Sequence, residues 1–194
     1  MTTAQTSSEI ALAALAVKAS VRPATVLVGG LGLGATVRRV LADDRVRQVC
    51  VVELERDLVG WLRDDLVPGG ARLLADARVS VQVGDIRDAV AATAPASVDV
   101  VLLDVDNGPD YLVHSHNEGL YRPDFLARCA AALAPGGVLA VWSMSQSPPL
   151  QDALSRLFAA VEVHRCAVEL DGRAEDYWVL VAAEPLDGLR QATY

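Results

Sequence analysis

Short apolar, β-branched runs alternate with helical segments along most of this chain, and that alternation constrains the fold more than any single residue does. Strand-like runs are expected at 25–29, 48–53, 78–83, 98–104 and 138–142. Helical segments are expected at 35–41, 56–66, 86–92, 122–133 and 150–159. A strand-then-helix step repeated five times favours right-handed crossovers, hence parallel strands with helices on both faces. The run at 98–104 is apolar almost throughout, as a strand buried on both faces requires. The helix at 122–133 meets Ala134, Pro135, Gly136 and Gly137, a strong stop signal. Two further β runs, 161–170 and 177–183, flank Asp171, Gly172 and Arg173 and read as a hairpin. The expected architecture is α/β: a doubly wound, Rossmann-like sheet of seven strands with a C-terminal antiparallel hairpin. An N-terminal helical segment (1–24), one core domain (25–184) and a loose tail (185–194) would divide the chain.

Composition narrows the partners. At 194 residues and 52% hydrophobic, the chain suits one domain with a full core. Its net charge of −8 repels phosphate backbones, so no nucleic-acid partner is expected; the adjacent Arg38 and Arg39 do not make a patch. The first twenty residues lack a basic leader and are too short for a bilayer span. No membrane association and a cytoplasmic location are therefore expected. Ser8 and Glu9 open a helix in which Ile10, Leu12, Leu15 and Val17 would form the apolar stripe. That stripe would pack on the domain or on a second copy, which allows a homodimer. Cys50, Cys129 and Cys166 show no CxxC spacing. They read as free, mostly buried thiols, and no metal site is expected.

The stretch VLVGGLGLGA, residues 26–35, places Gly30, Gly32 and Gly34 in the first strand-to-helix turn. Glycines there remove Cβ atoms and let a ligand approach the main chain and the helix N-terminus. Glu53 ends the next apolar run, about twenty residues on, where an acid takes ribose hydroxyls. NAD and S-adenosylmethionine both fit this much. Asp85 ends the third strand, where an acid can accept a hydrogen bond from an adenine amino group. Asp104 ends the fourth, over the site. The closing hairpin leaves no room for a dehydrogenase's substrate domain, which favours S-adenosylmethionine.

Five segments make the reading specific: VLVGGLGLGATVRRV, VVELERD, VGDIRD, VDVVLLDVDNGP and LYRPDFLARCAAALAPGGVLAVWS. In them the chain resembles the class I S-adenosylmethionine-dependent transferases, and within these the spermidine synthase family, in a short form lacking that family's N-terminal β-domain. The resemblance implies S-adenosylmethionine, or its decarboxylated form, as cofactor, bound by residues 25–184. It implies Glu53 at the ribose, Asp85 at the adenine, Leu54 and Ile86 among the cofactor-binding residues, and Asp104 beside the reacting centre.

Two departures bear on the reaction. The family's loop reads GGGDGG, and Leu33 stands where the aspartate would be. In the family that aspartate holds the free amine of the decarboxylated donor and repels the carboxylate of the intact one. Asn107 replaces the second acid of the motif that follows the fourth strand, and Asp106 lies one position off. With the missing β-domain, these changes lead us to expect methyl transfer to a small-molecule acceptor. Asp104 would orient the acceptor or act as base, with Asp106 and Tyr121 as further catalytic candidates. One alternative is an aminopropyltransferase using decarboxylated S-adenosylmethionine. Another is a nucleoside-binding module without turnover. His114 and His116 read as solvated lid residues. Trp142, Tyr177 and Trp178 read as core or interface, and His164 as structural.

Overall fold

In the computed structural model, which describes residues 6–170 and 173–186, the β-branched runs pair into one seven-stranded sheet. Its strands are β1 (Thr25–Gly29), β2 (Gln48–Glu53), β3 (Val79–Val83), β4 (Val98–Leu103), β5 (Leu133–Ser143), β6 (Phe158–Leu170) and β7 (Arg173–Pro185). They lie in the order β3-β2-β1-β4-β5-β7-β6. The first five are parallel, and β7 runs antiparallel to both of its neighbours. The chain steps outward from β1 to β3, then returns to β4 on the other side of β1. The strand order thus reverses between β1 and β4, where doubly wound sheets open a crevice at their carboxyl ends.

Seven helices cover the sheet: α1 (Ser7–Ala19), α2 (Ala35–Leu41), α3 (Arg56–Arg63), α4 (Gly70–Leu74), α5 (Ile86–Ala92), α6 (Pro123–Ala132) and α7 (Pro148–Ser155). Strand side chains alternate between the two faces. Val26, Val28, Val100 and Leu102 join Leu12, Val37, Val40 and Leu62 in one layer. Leu27, Val101, Leu103 and Val141 join Ile86, Phe125, Leu126 and Leu154 in the other. Burying each such side chain stabilises the fold by about 1.5–3 kcal/mol. Those two layers hold the sheet between them.

Several boundaries differ from the sequence expectation. The helix α6 stops at Ala132 and β5 starts at Leu133, so the stretch 134–137 lies inside the strand. It is accommodated by a register shift: Val98 pairs with Leu133, but Val100 pairs with Val138. The helix α3 is shorter than expected, and Asp65, just beyond it, takes φ +56°. The unexpected α4 has five residues, too few to show a helical period. Strand β6 begins at Phe158, inside the expected helix 150–159. A 3₁₀ segment, Ser115–Tyr121, lies between β4 and α6, where the sequence pattern gives no element. The turn residues 171–172 and the end of the expected tail, 187–194, lie outside the described residues. Among the described residues no helix is long and apolar enough to cross a membrane.

The largest difference is in α1. Ile10 is 42% exposed, while Ser8, Glu9, Leu12, Ala13, Ala16 and Val17 face inward. Counted from Glu9, the buried positions fall at i, i+3, i+4, i+7 and i+8, one face of a helix. Small alanines, rather than the larger Ile10, mark the side that packs.

Candidate functional site

A cavity of about 430 Å³ opens at the carboxyl ends of the central strands, a size typical of small-molecule sites. Gly30 and Gly32 form part of its wall. Gly30 takes φ +91°, and a Cβ there would lie 2.1 Å from the carbonyl oxygen of Asp104. Only glycine lets the end of β1 pass this close to the end of β4. Gly34 serves packing instead. It precedes α2 at φ +82°, a Cβ there would lie 2.4 Å from Leu73, and it is not on the cavity wall. Leu33 is not on that wall either; with Ile10 and Arg38 it borders a separate groove.

At one end, Glu53 is 7% exposed and both of its oxygens are held by backbone amides. The Leu31 N–H donates to Oε2 at 2.8 Å and the Glu55 N–H to Oε1 at 2.9 Å. Asp85 caps α5 by accepting from the Arg87 N–H at 2.8 Å, and it also accepts from the Arg87 guanidinium. That side-chain hydrogen bond holds the Asp85 carboxyl below the usual range. Leu54, Leu58 and Ile86 supply apolar wall beside them, Leu54 from the rim at 58% exposure. This end combines fixed acceptors with an apolar face.

At the other end, Asp104 follows β4. Thr36 Oγ1 donates to its Oδ2 at 2.7 Å. Burial pushes the Asp104 carboxyl up to about 6; the Thr36 hydrogen bond opposes this, and the charges of Glu9 and Glu53 add to it. Asp106 behaves differently. Burial pushes it up, but hydrogen bonds from the Val113 N–H (2.8 Å), the Asn117 amide (2.8 Å) and the Asn107 N–H (2.7 Å) outweigh that, and its pKa falls. Asp106 borders the cavity, yet its oxygens organise the loop that follows it.

Tyr121 does not line the cavity. It is buried in the core layer under this loop, and burial raises its pKa. A structural support for the loop replaces the catalytic contact expected from sequence. His114 reaches the wall; His116 does not, and its carbonyl accepts from Arg87. His164 pairs with Glu162 on β6.

Among the wall residues that sequence reasoning did not assign to the site are Glu9 and Trp142. Glu9 of α1 is 7% exposed, and Ser8 Oγ donates to its Oε2 at 2.7 Å. The signal was present, since Glu9 heads the buried stripe of α1. Trp142 of β5 also lines the cavity and packs against Tyr177, with ring centroids 5.0 Å apart at 56°. In all, the described lining holds five carboxylates, from Glu9, Glu53, Asp85, Asp104 and Asp106, and no Lys or Arg. Among the described residues no cluster of three or more His, Cys, Asp or Glu could hold a metal ion.

Residues 6–164 match the spermine/spermidine synthase domain. The chain belongs to the spermine/spermidine synthase family. Polyamine aminopropyltransferase 2 of Pseudomonas aeruginosa is 33% identical over 175 residues, covering 85% of this chain and 48% of that protein. The polyamine aminopropyltransferase of Mycobacterium tuberculosis is 36% identical over 128 residues, covering 65% of this chain and 23% of that protein. This family member thus spans about half, or less, of the length of those relatives. A spermidine synthase crystallised with the transition-state analogue AdoDATO superposes at a TM-score of 0.78 with 19% identity, over 94% of this chain and 62% of that one. Human methyltransferase-like protein 13, in complex with SAH, superposes at 0.62 with 20% identity, over 91% of this chain and 79% of that one. Both superpositions bear on the fold alone, which spermidine synthases and methyltransferases share.

Proposed function

We propose that this chain transfers an aminopropyl group from decarboxylated S-adenosylmethionine to an amine. The observation that carries this reading is the charge of the cavity: among the described residues five carboxylates line it and no Lys or Arg does. In a partly dehydrated pocket, interactions between charges are strengthened. Such a wall favours a donor with two positive centres and a cationic acceptor, and it gives a donor carboxylate no cationic side chain to pair with. The names of the relatives agree with this reading. Methyl transfer, the expectation from sequence, rested on Leu33, Asn107 and the missing β-domain together, and the first of these, Leu33, is off the cavity wall.

A sulfonium donor supplies an activated leaving group, so the protein's part is alignment and proton handling. Glu53, fixed by two amides, presents its remaining lone pairs to the ribose hydroxyls. Asp85 and the apolar side chains of Leu54, Leu58 and Ile86 bound the adenine. Asp104 orients the acceptor amine and takes its proton. The amine nitrogen then forms a bond to the propyl carbon next to sulfur, the carbon–sulfur pair returns to sulfur, and methylthioadenosine leaves. With its carboxyl pushed up to about 6, Asp104 is ionised near neutrality yet more basic than an exposed aspartate.

The test is product identity. Incubation with decarboxylated S-adenosylmethionine and an aliphatic diamine should release methylthioadenosine. Release of S-adenosylhomocysteine from the intact donor, with no methylthioadenosine from the decarboxylated one, would overturn the reading.

A further inference from the structure

Asp85 borders the cavity, but the side chain that holds it does not. Arg87 borders a separate surface groove with Ser115, His116, Gly119 and Arg122. From there it reaches two places at once. Its Nε donates to both Asp85 oxygens at 3.0 Å, and its Nη2 donates to Oδ2. Its Nη1 donates to the His116 carbonyl at 3.1 Å, in the 3₁₀ segment Ser115–Tyr121. Gly119 of that segment is also close: a Cβ there would lie 3.6 Å from Nη1. A planar guanidinium makes these contacts in one fixed fork, which an ammonium on a flexible stem does not.

Both ends of this bridge bear on the cavity. A carboxylate has about four acceptor positions, and at Asp85 the Arg87 main-chain N–H and the guanidinium Nε and Nη2 fill all but one. The fork fixes where the open position points. At the other end of the bridge, Val113, His114, Asn117 and Leu120 line the cavity. Asp106 holds the same stretch from the opposite side, through the Val113 N–H and the Asn117 amide. The stretch 113–120 is thus pinned twice. One pin is the acid near the reacting end, and the other, through Arg87, is the acid at the base end.

Resting on the aminopropyl reading and its placement of the adenine at Asp85, we propose that Arg87 is a positioning residue that ties nucleoside binding to the placement of the acceptor. One guanidinium aims the open position of Asp85 and holds the stretch that brings His114 and Asn117 to the cavity. A base that needs Asp85 in this orientation favours the forked state, and the forked state carries the His116 contact with it. The coupling is reciprocal, so an acceptor seated against the stretch tightens the nucleoside by the same factor.

Hydrogen exchange at amides 113–120, with and without methylthioadenosine, tests this in wild type, Arg87→Ala and Arg87→Lys. The Arg87 side chain is 40% exposed, so both variants should fold. In wild type, methylthioadenosine should slow exchange across the stretch. In Arg87→Ala the free stretch should exchange about ten- to a hundredfold faster, the range for a lost hydrogen bond to a charged group, and methylthioadenosine should no longer slow it. Arg87→Lys keeps a cation beside Asp85 but does not span to His116. It should bind methylthioadenosine within about threefold of wild type and still lose the protection. In turnover its acceptor KM should rise about three- to tenfold while kcat changes less than about twofold, the mark of lost placement rather than lost chemistry. Protection that survives in Arg87→Ala would mean that the nucleoside steadies the stretch without Arg87, and would overturn the proposal. So would exchange in both variants that matches wild type. The aminopropyl reading would stand in either case. A wild type that binds no methylthioadenosine would overturn both.

Discussion

The two ends of the cavity solve opposite problems with the same functional group. At the ends of β2 and β3, Glu53 and Asp85 are partnered by the protein itself, through amides and through Arg87. At the end of β4 and on α1, Asp104 and Glu9 have a single hydroxyl each, and the charge of Glu9 adds to the cost of ionising Asp104. The first pair is preorganised: its geometry is fixed before a ligand arrives, which lowers the entropy lost on binding. The second pair is under-satisfied, and what it lacks is a cation. A carboxylate that the fold already satisfies recognises shape. One that the fold leaves short attracts charge and can accept a proton.

The sharpest way to break that comparison is at Asp104. Replacing it with Asn should lower turnover by about 10²- to 10⁴-fold, the range for loss of a positioned acid–base group. The same change should stabilise the free protein. The Asp104 carboxyl is raised from 3.8 to about 6, so the folded state binds the proton more tightly than the unfolded chain does. Its stabilising contribution is complete below about pH 4 and is lost as pH rises through about 6. Above that the ionised group costs about 3 kcal/mol, at about 1.4 kcal/mol per pKa unit. Urea denaturation of wild type and Asp104→Asn at pH 4 and pH 8 checks this. The variant should gain on wild type only at the higher pH. Equal stability at both would mean that Asp104 is not electrostatically strained.

Glu53→Gln probes the other end and should have a smaller effect. The neutral side chain keeps one acceptor but turns an NH₂ group toward either the Leu31 or the Glu55 N–H. Losing one charge-assisted bond costs about 1.5–3 kcal/mol. Affinity for every adenosine-bearing ligand should therefore fall by about ten- to a hundredfold, with or without an ammonium or carboxylate. Uniform loss is the signature of this end, as selective loss is of the other. Titration with methylthioadenosine and decarboxylated S-adenosylmethionine separates the two.

Legibility in the sequence follows the same division. The sheet could be read because its strands are β-branched runs, continuous at β1 and β4 and alternating at β3, and the first turn carries glycine. Glu53, Asp85 and Asp104 could be read because each ends such a run, and the end of a parallel strand is where a crevice forms. Glu9 could not be read that way, because a residue on a flanking helix enters the cavity through packing. Of the stripe expected through Ile10, Leu12, Leu15 and Val17, Leu12 and Val17 are buried and Leu15 packs against the core, but Ile10 faces outward. Counting Ala13 and Ala16 as buried would have pointed to Glu9. Asp106 and Tyr121 were legible as polar groups near the site. The use of Asp106 in holding the loop depends on Val113 and Asn117, seven and eleven residues away in the chain, which no local pattern encodes. Gly34 shows the same limit, since spacing cannot tell a glycine that admits a ligand from one that admits Leu73.

Leu33 gives the mildest test and the one that isolates position from identity. By family resemblance an aspartate at this place would select the decarboxylated donor. The structure turns Leu33 toward Ile10, Arg38 and Pro68, outside the cavity wall. A charge placed there faces solvent and the Arg38 guanidinium, which already donates to the Leu33 carbonyl at 2.6 Å. Solvent screening leaves such a surface charge worth at most a fraction of a kcal/mol at the site. Leu33→Asp should thus change the ratio of affinities for decarboxylated and intact S-adenosylmethionine by less than about twofold. A shift of tenfold or more would mean that the loop turns inward when a donor binds. It would return donor selection to the glycine loop.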